Sequence, residues 1–352
     1  MIMFWTSVKT RLISVFSISG DGSMSKRVIL TGFGIVIIFI VLLGFYWSSE
    51  PAAFSVHQKT AQKLALVGND HVVGSTTTVA LITVAETLLN KPGGYLSNDV
   101  SPPGIYLDNI PNWEFGALVQ VRDLSRTFRE SFSRSQSQST EDPDLIISEP
   151  KFHFSNDSWL FPATESEYAE AIGRLDSYLA RISDPANTDA QFYARADNLA
   201  DWLLAVESRL GSLSQRLSAS VRQSRVNTDT SGETVVTQSA QSMPVRSEVS
   251  VKTPWLQIDD IFYEARGATW ALMHFLKAVE VDFKDVLEDK NAEASLSQII
   301  RELEASQRSI FFPIILNGSG FGVFANHSLA MANYISRANA AIIDLRNLLS
   351  QG

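Results

Sequence analysis

Residues 91–113 carry the side chains of this chain that are best suited to binding another molecule. The stretch is rich in glycine, proline, asparagine and aspartate, and it combines flat aromatic faces with hydrogen-bonding groups. Sugars and protein surfaces are both recognised by such mixtures. The alternative is that the aromatic rings only pack this loop onto the rest of the protein. The candidate ligand or partner surface consists of Tyr95, Asn98, Asp99, Tyr106 and Trp113.

Motifs for catalysis and metal binding are not found in the sequence. None of the five histidines has a second histidine or a carboxylate at the spacing of the H-E-x-x-H motif. The chain has no cysteine, which excludes thiolate catalysis and thiolate metal sites. A G-x-S-x-G sequence is absent, and two S-x-x-K matches lack their companion motifs. We therefore predict no catalytic residue, no metal and no cofactor.

The charge of the chain argues against a nucleic-acid partner. The formal net charge is −9, from 38 acidic and 29 basic residues. Non-specific binding to phosphate backbones is built from clustered lysine and arginine, and the part of the chain after residue 50 is more acidic than the total. This is because four of the bases precede residue 28, namely Lys9, Arg11, Lys26 and Arg27.

Residues 28–47 are predicted to anchor the rest of the chain in a membrane. Their sequence, VILTGFGIVIIFIVLLGFYW, contains no charge and ends in three aromatic residues. Twenty helical residues span roughly 30 Å, the thickness of a bilayer's hydrocarbon core. A cleaved signal peptide would have a shorter apolar region and a small-residue cleavage site, so an uncleaved anchor is the better interpretation. Lys26 and Arg27 keep residues 1–27 in the cytoplasm by the positive-inside rule and place the remainder in the periplasm.

The exported part is predicted to be a helical bundle, so the fold class is mainly α. Apolar residues recur at alternating spacings of three and four, which is typical of helices packed at shallow angles. The clearest stripes run from Leu199 to Leu217 and from Ile258 to Val286. The aromatic-rich residues 145–161 are predicted to hold a short strand or two. We expect one body or two lobes: residues 48–222 with the loop 91–111, then a flexible linker or weak hairpin at 223–253, then residues 254–352.

Two blocks of the sequence resemble a known family. They are LLNKPGGYLSNDVS, residues 88–101, and WEFGALVQVRDLSRTFR, residues 113–129. Both are similar to the DUF2333 family of uncharacterised proteobacterial inner-membrane proteins. The resemblance extends over most of the chain after the anchor. It implies a single-pass protein of the bacterial envelope and provides no catalytic residues to transfer.

These observations lead to three hypotheses about function. The first is a binding or scaffold module in the periplasm with protein partners in the envelope, because periodicity is strong while catalytic motifs are absent. The second is an envelope enzyme acting on peptidoglycan or another glycan through carboxylates near residues 91–113. The third is a ligand-sensing domain that works with a separate signalling partner, because the cytoplasmic segment is too short to signal alone.

Overall fold

The computed structural model describes residues 22–351 except 69–70, 136–138, 187–188, 222, 227–247, 310–314 and 320–322. The predicted cytoplasmic segment, residues 1–27, therefore lies mostly outside the described residues. The described part is mainly helical, which confirms the predicted fold class. One helix, α1 (Gly22–Trp47), stands apart from the others because most of its residues 27–47 are exposed. Within it, Arg27–Trp47 is long and apolar enough to cross a membrane.

The remaining helices form the body of the protein. Ten of them are described, and their bounds are α2 (Val56–Val67), α3 (Ser75–Asn90), α4 (Asn109–Thr127), α5 (Leu145–Phe152), α6 (Thr164–Ser183), α7 (Ala196–Ser218), α8 (Ile258–Asp282), α9 (Lys284–Asp289), α10 (Glu293–Ser306) and α11 (His327–Ser350). A π-helical turn, Phe128–Phe132, extends α4, and single 3-10 turns occupy Gly104–Tyr106 and Trp255–Gln257.

Helix α8 is the central element of the body. Nearly every residue between Ala265 and Val279 is buried, whichever face of the helix it occupies. A helix that is buried on every face must be enclosed by others, and α8 contacts α2, α3, α4, α7, α10 and α11. The other helices of the body pack around it.

The closest contact of α8 is with α4. A Cβ atom placed on Gly267 would lie 1.8 Å from the carbonyl oxygen of Trp113, and one placed on Gly116 would lie 1.9 Å from that of Glu264. No side chain fits at either position. Two glycines on facing helices thus allow the backbones to touch, and this contact fixes where α4 begins relative to α8.

A second layer is formed by α7 and α11, which run antiparallel. The predicted stripe of α7 is buried along its whole length: Leu199, Leu203, Val206, Leu210, Leu213 and Leu217. Helix α11 contributes Ile335, Ala338, Ile342, Leu345 and Leu349. One hydrophobic core contains buried residues from Val56 to Leu349. The helices before and after residues 223–253 therefore contribute to the same core.

Two further predictions concern the connecting segments. Within residues 223–253, the strands β1 (Gln223–Val226) and β2 (Glu248–Val251) pair antiparallel, with Gln223 opposite Val251, and residues 227–247 lie outside the description. The prediction of strands at 145–161 was wrong, because residues 145–152 form helix α5. This helix is stabilised from outside itself: Ser148 donates to the Ala171 carbonyl of α6, and Arg122 of α4 donates to the Phe152 carbonyl.

Candidate functional site

The loop of residues 91–108 is held by an ion pair in the interior of the protein. Lys91, at the end of α3, places its Nζ atom 2.5 Å from Oε1 of Glu114 in α4, and both side chains are essentially inaccessible to solvent. Lys91 also donates to the carbonyl of Gly94. The turn that follows Lys91 requires glycine at two positions, since Gly93 and Gly94 have φ values of +88° and +74°.

Glu114 organises the next part of the same loop. Its carboxylate accepts hydrogen bonds from the backbone N–H groups of Leu96 and Ser97, at 2.9 and 2.8 Å, and from the Ser97 hydroxyl. Burial raises the pKa of Glu114, whereas Lys91 and these donors lower it. The contacts of this enclosed carboxylate are with Lys91, Leu96 and Ser97, so Glu114 holds the loop against α4.

The five residues of the candidate surface do not form one surface. Tyr95, Asn98 and Trp113 are buried, so these three cannot contact a ligand or partner from the outside. The Tyr95 ring packs edge-on against Tyr168, with ring centroids 5.7 Å apart, and burial raises the pKa of its hydroxyl. Trp113 packs against Trp270 of α8. The aromatic rings therefore fasten the loop to the body, which is the alternative considered above.

The polar members of the set lie at the edge of the loop. Asn98 donates to the Ser158 carbonyl at 2.9 Å and to Glu165 at 2.8 Å, which joins the loop to the start of α6. Asp99 is half-buried, and its pKa is raised by burial and by the neighbouring Glu165. Tyr106 is the one member of the five that is well exposed, at 77%.

The chain between α1 and α2 is attached to the central helix at two points. Glu50 accepts hydrogen bonds from the guanidinium of Arg266, with Nε of Arg266 2.7 Å from Oε1 of Glu50. Arg266 also donates to the carbonyls of Ser306 and Arg308, so its charge is satisfied although it is buried. Four residues further on, the backbone N–H of Phe54 donates to Nε2 of His274 at 3.0 Å.

His274 is held as a neutral imidazole. Its Nε2 atom accepts from Phe54, so Nδ1 carries the proton and donates to the Trp270 carbonyl at 2.7 Å. The Phe54 ring stacks on the imidazole with centroids 3.8 Å apart. Burial lowers the pKa of His274 to about 4, and Lys277 adds to the shift. The first residues after α1 are thus joined to α8 over two of its turns.

The loop also contacts α1 itself. A Cβ atom on Gly44 would lie 3.4 Å from Cβ of Pro103 and 3.9 Å from Cδ2 of Leu107, and one on Gly93 would meet the Trp47 indole at 2.8 Å. The last turn of α1 therefore lies against residues 93–107. Together with Glu50 and Phe54, these contacts position the apolar helix against one end of the body.

A cavity of about 250 Å³ lies between α8, α10 and α11. Its described lining includes Arg266, Arg308, His327 and Tyr334, and none of the lining residues is a carboxylate. Within the described ranges, no three His, Asp or Glu side chains converge as ligands for a metal ion. The cationic and aromatic lining would suit a small anion in preference to a cation.

Sequence reasoning missed both buried ion pairs, although a signal for each was present. Glu114 shares a helical stripe with Ala117, Leu118 and Val121, and Arg266 lies between buried Ala265 and Gly267. A charge on an apolar face must be paired to be buried. The partners, Lys91 and Glu50, lie at a helix end and in a connecting segment, where no periodicity identifies them.

The fold and its attachments define a mainly helical protein with one N-terminal apolar helix, either a membrane anchor or a signal sequence, packed against one end of a helical body. The family described as "Uncharacterized protein conserved in bacteria (DUF2333)" matches residues 22–352, and the chain belongs to this family. The resemblance stated from residues 88–101 and 113–129 is thereby confirmed. No curated protein and no solved structure matches the chain.

Proposed function

We propose that the protein is a single-pass inner-membrane protein whose helical body lies in the periplasm and serves as a binding or scaffold module of the envelope. The observation that supports this proposal is the set of contacts between α1 and the body. A flexible tether would need none of them, because its only task is to limit diffusion. A scaffold, in contrast, must present its surface in a defined orientation.

The contacts are suited to fixing that orientation. Glu50 with Arg266 and Phe54 with His274 are directional hydrogen bonds in buried surroundings, where each is stronger than it would be in water. Gly44 and Trp47 add packing contacts with residues 93–107. The far end of the body would then project away from the membrane. There the turn between α2 and α3 exposes Leu66 and Val73, at 85% and 53%.

The topology has a direct test. A reporter that is active only in the periplasm is fused after Gly352, and the same reporter is fused after Lys26 as the cytoplasmic control. We expect activity from the first fusion and none from the second. An inactive reporter after Gly352 would overturn the orientation.

The scaffold role is tested by crosslinking inside cells. A photo-crosslinking amino acid is placed at Leu66 or Val73, both exposed at the end of the body far from α1, and at the buried Leu210 as the control. We expect a discrete adduct from an exposed position, which is retained after purification from membranes, and none from Leu210. If no exposed position of the body yields an adduct with another protein, the scaffold role is wrong.

A ligand-sensing role is the second candidate, and the cavity beside Arg266 favours it. An anion bound there would compete with Glu50 for the guanidinium and so act on the attachment of α1. The test is the thermal stability of the full chain with phosphate, citrate or chloride, compared with an Arg308→Gln variant. An increase in Tm that is specific to one anion and lost in the variant would support sensing, and equal values throughout would exclude it.

A further inference from the structure

Three short segments of the body expose large apolar side chains. We call them together the apolar rim: residues 100–106, residues 159–161 and residues 255–256. Their exposed side chains include Tyr106, Trp159, Phe161, Trp255 and Leu256, with Phe161 fully exposed and Leu256 exposed at 81%. Contiguous exposed apolar surface on a soluble face marks a contact with another molecule or with a membrane.

The first segment of the rim lies against the end of α1. A Cβ atom placed on Gly44, three residues before Trp47, would lie within 4 Å of Pro103 and Leu107, so these two residues lie next to α1 at that position. At 1.5 Å per residue, this contact is roughly 4.5 Å along the helix from Trp47 towards its apolar middle. Trp47 ends the stretch Arg27–Trp47 that is apolar enough to span a membrane. The loop therefore lies against a part of α1 that is expected to be inside the hydrocarbon core. Ile105 and Tyr106, next to this contact, are exposed.

The second segment is joined to the first by Asn98. The amide of Asn98 donates to the Ser158 carbonyl at 2.9 Å, immediately before Trp159. The Ser158 backbone is fixed further by Thr164, whose hydroxyl accepts from the Ser158 N–H. A hydrogen-bonded turn beside residues 98–100 therefore precedes Trp159, Leu160 and Phe161. Its hydrogen bonds fix these three side chains in exposed positions.

The third segment is placed on the same side by the course of the chain after α1. Glu50, three residues after α1, contacts Arg266, and Phe54, four residues further on, contacts His274. Helix α8 therefore runs away from α1 as its residue numbers increase. The start of α8 therefore points back towards α1. From Arg266 to Ile258 the helix extends about 12 Å in that direction, and Trp255 and Leu256 precede it. Asp260, in the first turn of α8, accepts from Asn112 at the start of α4.

From these placements we infer that the apolar rim inserts into the surface of the bilayer that holds α1, so that the body lies on the membrane. The occupant is lipid because the first segment of the rim lies against the end of the membrane-spanning helix, and the other two segments lie on the same side of the body. Its composition agrees, since tryptophan and tyrosine are enriched where proteins cross the membrane–water interface. This inference relies on the anchoring of α1 in the proposed function, and it adds the orientation of the body.

The charges around the rim specify the kind of lipid contact. Asp108, Asp259 and Asp260 lie beside it. Burial raises the pKa of Asp260, and the negative charges of Asp259 and Asp108 add to the shift. An acidic border does not attract anionic headgroups, whereas polybasic segments do. Insertion is therefore driven by apolar burial, and we expect it to be as strong in zwitterionic as in anionic membranes.

The absence of cysteine from the chain makes a clean test possible. Single substitutions Tyr106→Cys, Phe161→Cys and Leu256→Cys are labelled with an environment-sensitive fluorophore in the full-length protein, which is reconstituted into phosphatidylcholine vesicles. Leu66→Cys is the matched control, because Leu66 is as exposed as Leu256 but lies at the far end of α2. Val36→Cys, within α1, reports whether the anchor itself is inserted.

Two quenchers distinguish the outcomes. We expect brominated lipid to reduce the emission of the three rim labels and of the Val36 label while leaving the Leu66 label unchanged, and aqueous iodide to quench the Leu66 label alone. The inference is overturned if lipid quenches the Val36 label but none of the rim labels. Rim labels that neither quencher reaches would mean that a second copy of the chain covers the rim, which also overturns it. Failure at Val36 would instead contradict the anchor.

Discussion

The α7–α11 pair and the junction between α1 and the body are both buried contacts, but different residues form them. Helices α7 and α11 meet through leucine, isoleucine and alanine, with charged groups such as Glu207 and Arg346 only at the margin. The junction is made by Glu50, Arg266 and His274, with the Lys91–Glu114 pair supporting the loop beside it.

Because one contact is apolar and the other is polar, the two contribute differently to the structure. Apolar burial is non-directional and roughly proportional to area, so an apolar seam supplies stability and tolerates small shifts. Buried hydrogen bonds require particular distances and angles, and they are costly when one partner is missing. We infer that the seam holds the body together while the polar junction sets the position of α1 and of the loop. Four substitutions test this division.

The largest effect is expected from Glu114→Leu. The substitution leaves Lys91 without its partner in the interior and removes the acceptor for Leu96 and Ser97. Breaking a buried pair in this way costs about 3–5 kcal/mol of unfolding free energy. The matched control is Glu288→Leu, because Glu288 pairs with Lys284 at the surface, where a pair contributes about 0–1 kcal/mol. Denaturant unfolding of the detergent-solubilised chain measures both, and equal losses would refute a special role for the interior pair.

Truncation in the seam should have a comparable effect for a different reason. Leu210→Ala removes a fully buried side chain from the middle of α7. It should reduce the unfolding free energy by about 2–5 kcal/mol through lost burial and the cavity that remains. In contrast to Glu114→Leu, it should leave hydrogen exchange of the loop amides 94–99 unchanged. Leu204→Ala, at an exposed position of the same helix, is the control and should be nearly neutral.

Acid should weaken the junction through His274. Its pKa is lowered to about 4 in the folded protein, so the unfolded chain takes up the proton first as the pH falls below 6.5. The stabilisation is complete above pH 6.5 and is lost between 6.5 and 4. Between pH 7 and pH 5 the loss should be about 2 kcal/mol relative to a His274→Leu variant measured in parallel.

The parallel variant is needed because other groups titrate with the opposite sign. Burial raises the pKa values of Glu114 and Asp282, so these acids favour the folded state as the pH falls. Their contributions are common to both proteins and cancel in the difference. Identical pH profiles for the two proteins would exclude a neutral, buried His274.

The smallest change in atoms is Gly267→Ala, at the contact of α4 with α8. Its Cβ would lie 1.8 Å from the Trp113 carbonyl, so the helices must separate, at a cost of about 1–3 kcal/mol. Gly173→Ala is the control, since a Cβ there meets nothing within 4 Å. In the helix α6 that substitution should stabilise the protein by roughly 0.5–1 kcal/mol. Thermal unfolding of the two variants should therefore shift Tm in opposite directions.

The same contrast explains what the sequence could predict. The regular spacing of three and four from Leu199 to Leu217 predicted α7, and the helix is found there. The stripe from Ile258 to Val286 predicted α8, but that helix ends at Asp282 and the separate helix α9 follows it. Helix α5 was missed because eight residues containing Pro150 are too few to show a period, and it depends on Arg122 and Ala171 of other helices.

The candidate surface could be predicted only in part, for a related reason. Composition identifies Tyr95 and Trp113 as able to bind, but whether a ring faces outward depends on what packs over it. Here Tyr168 and Trp270 do, from far along the chain. Tyr106 is exposed because it lies in the 3-10 turn beyond those contacts. Pairing across long sequence separations cannot be inferred from a local pattern.

The fixed attachment of α1 to the body is the central claim, and a distance measurement tests it most directly. Spin labels are placed in one chain at Phe45→Cys, exposed on α1, and at Leu66→Cys, at the far end of α2. The label pair Leu66→Cys and Leu204→Cys, within the body, is the reference. In reconstituted vesicles we predict a single distance distribution for the first pair that is as narrow as the reference. A broad distribution for the first pair beside a narrow reference would show that α1 is a flexible tether and contradict the claim.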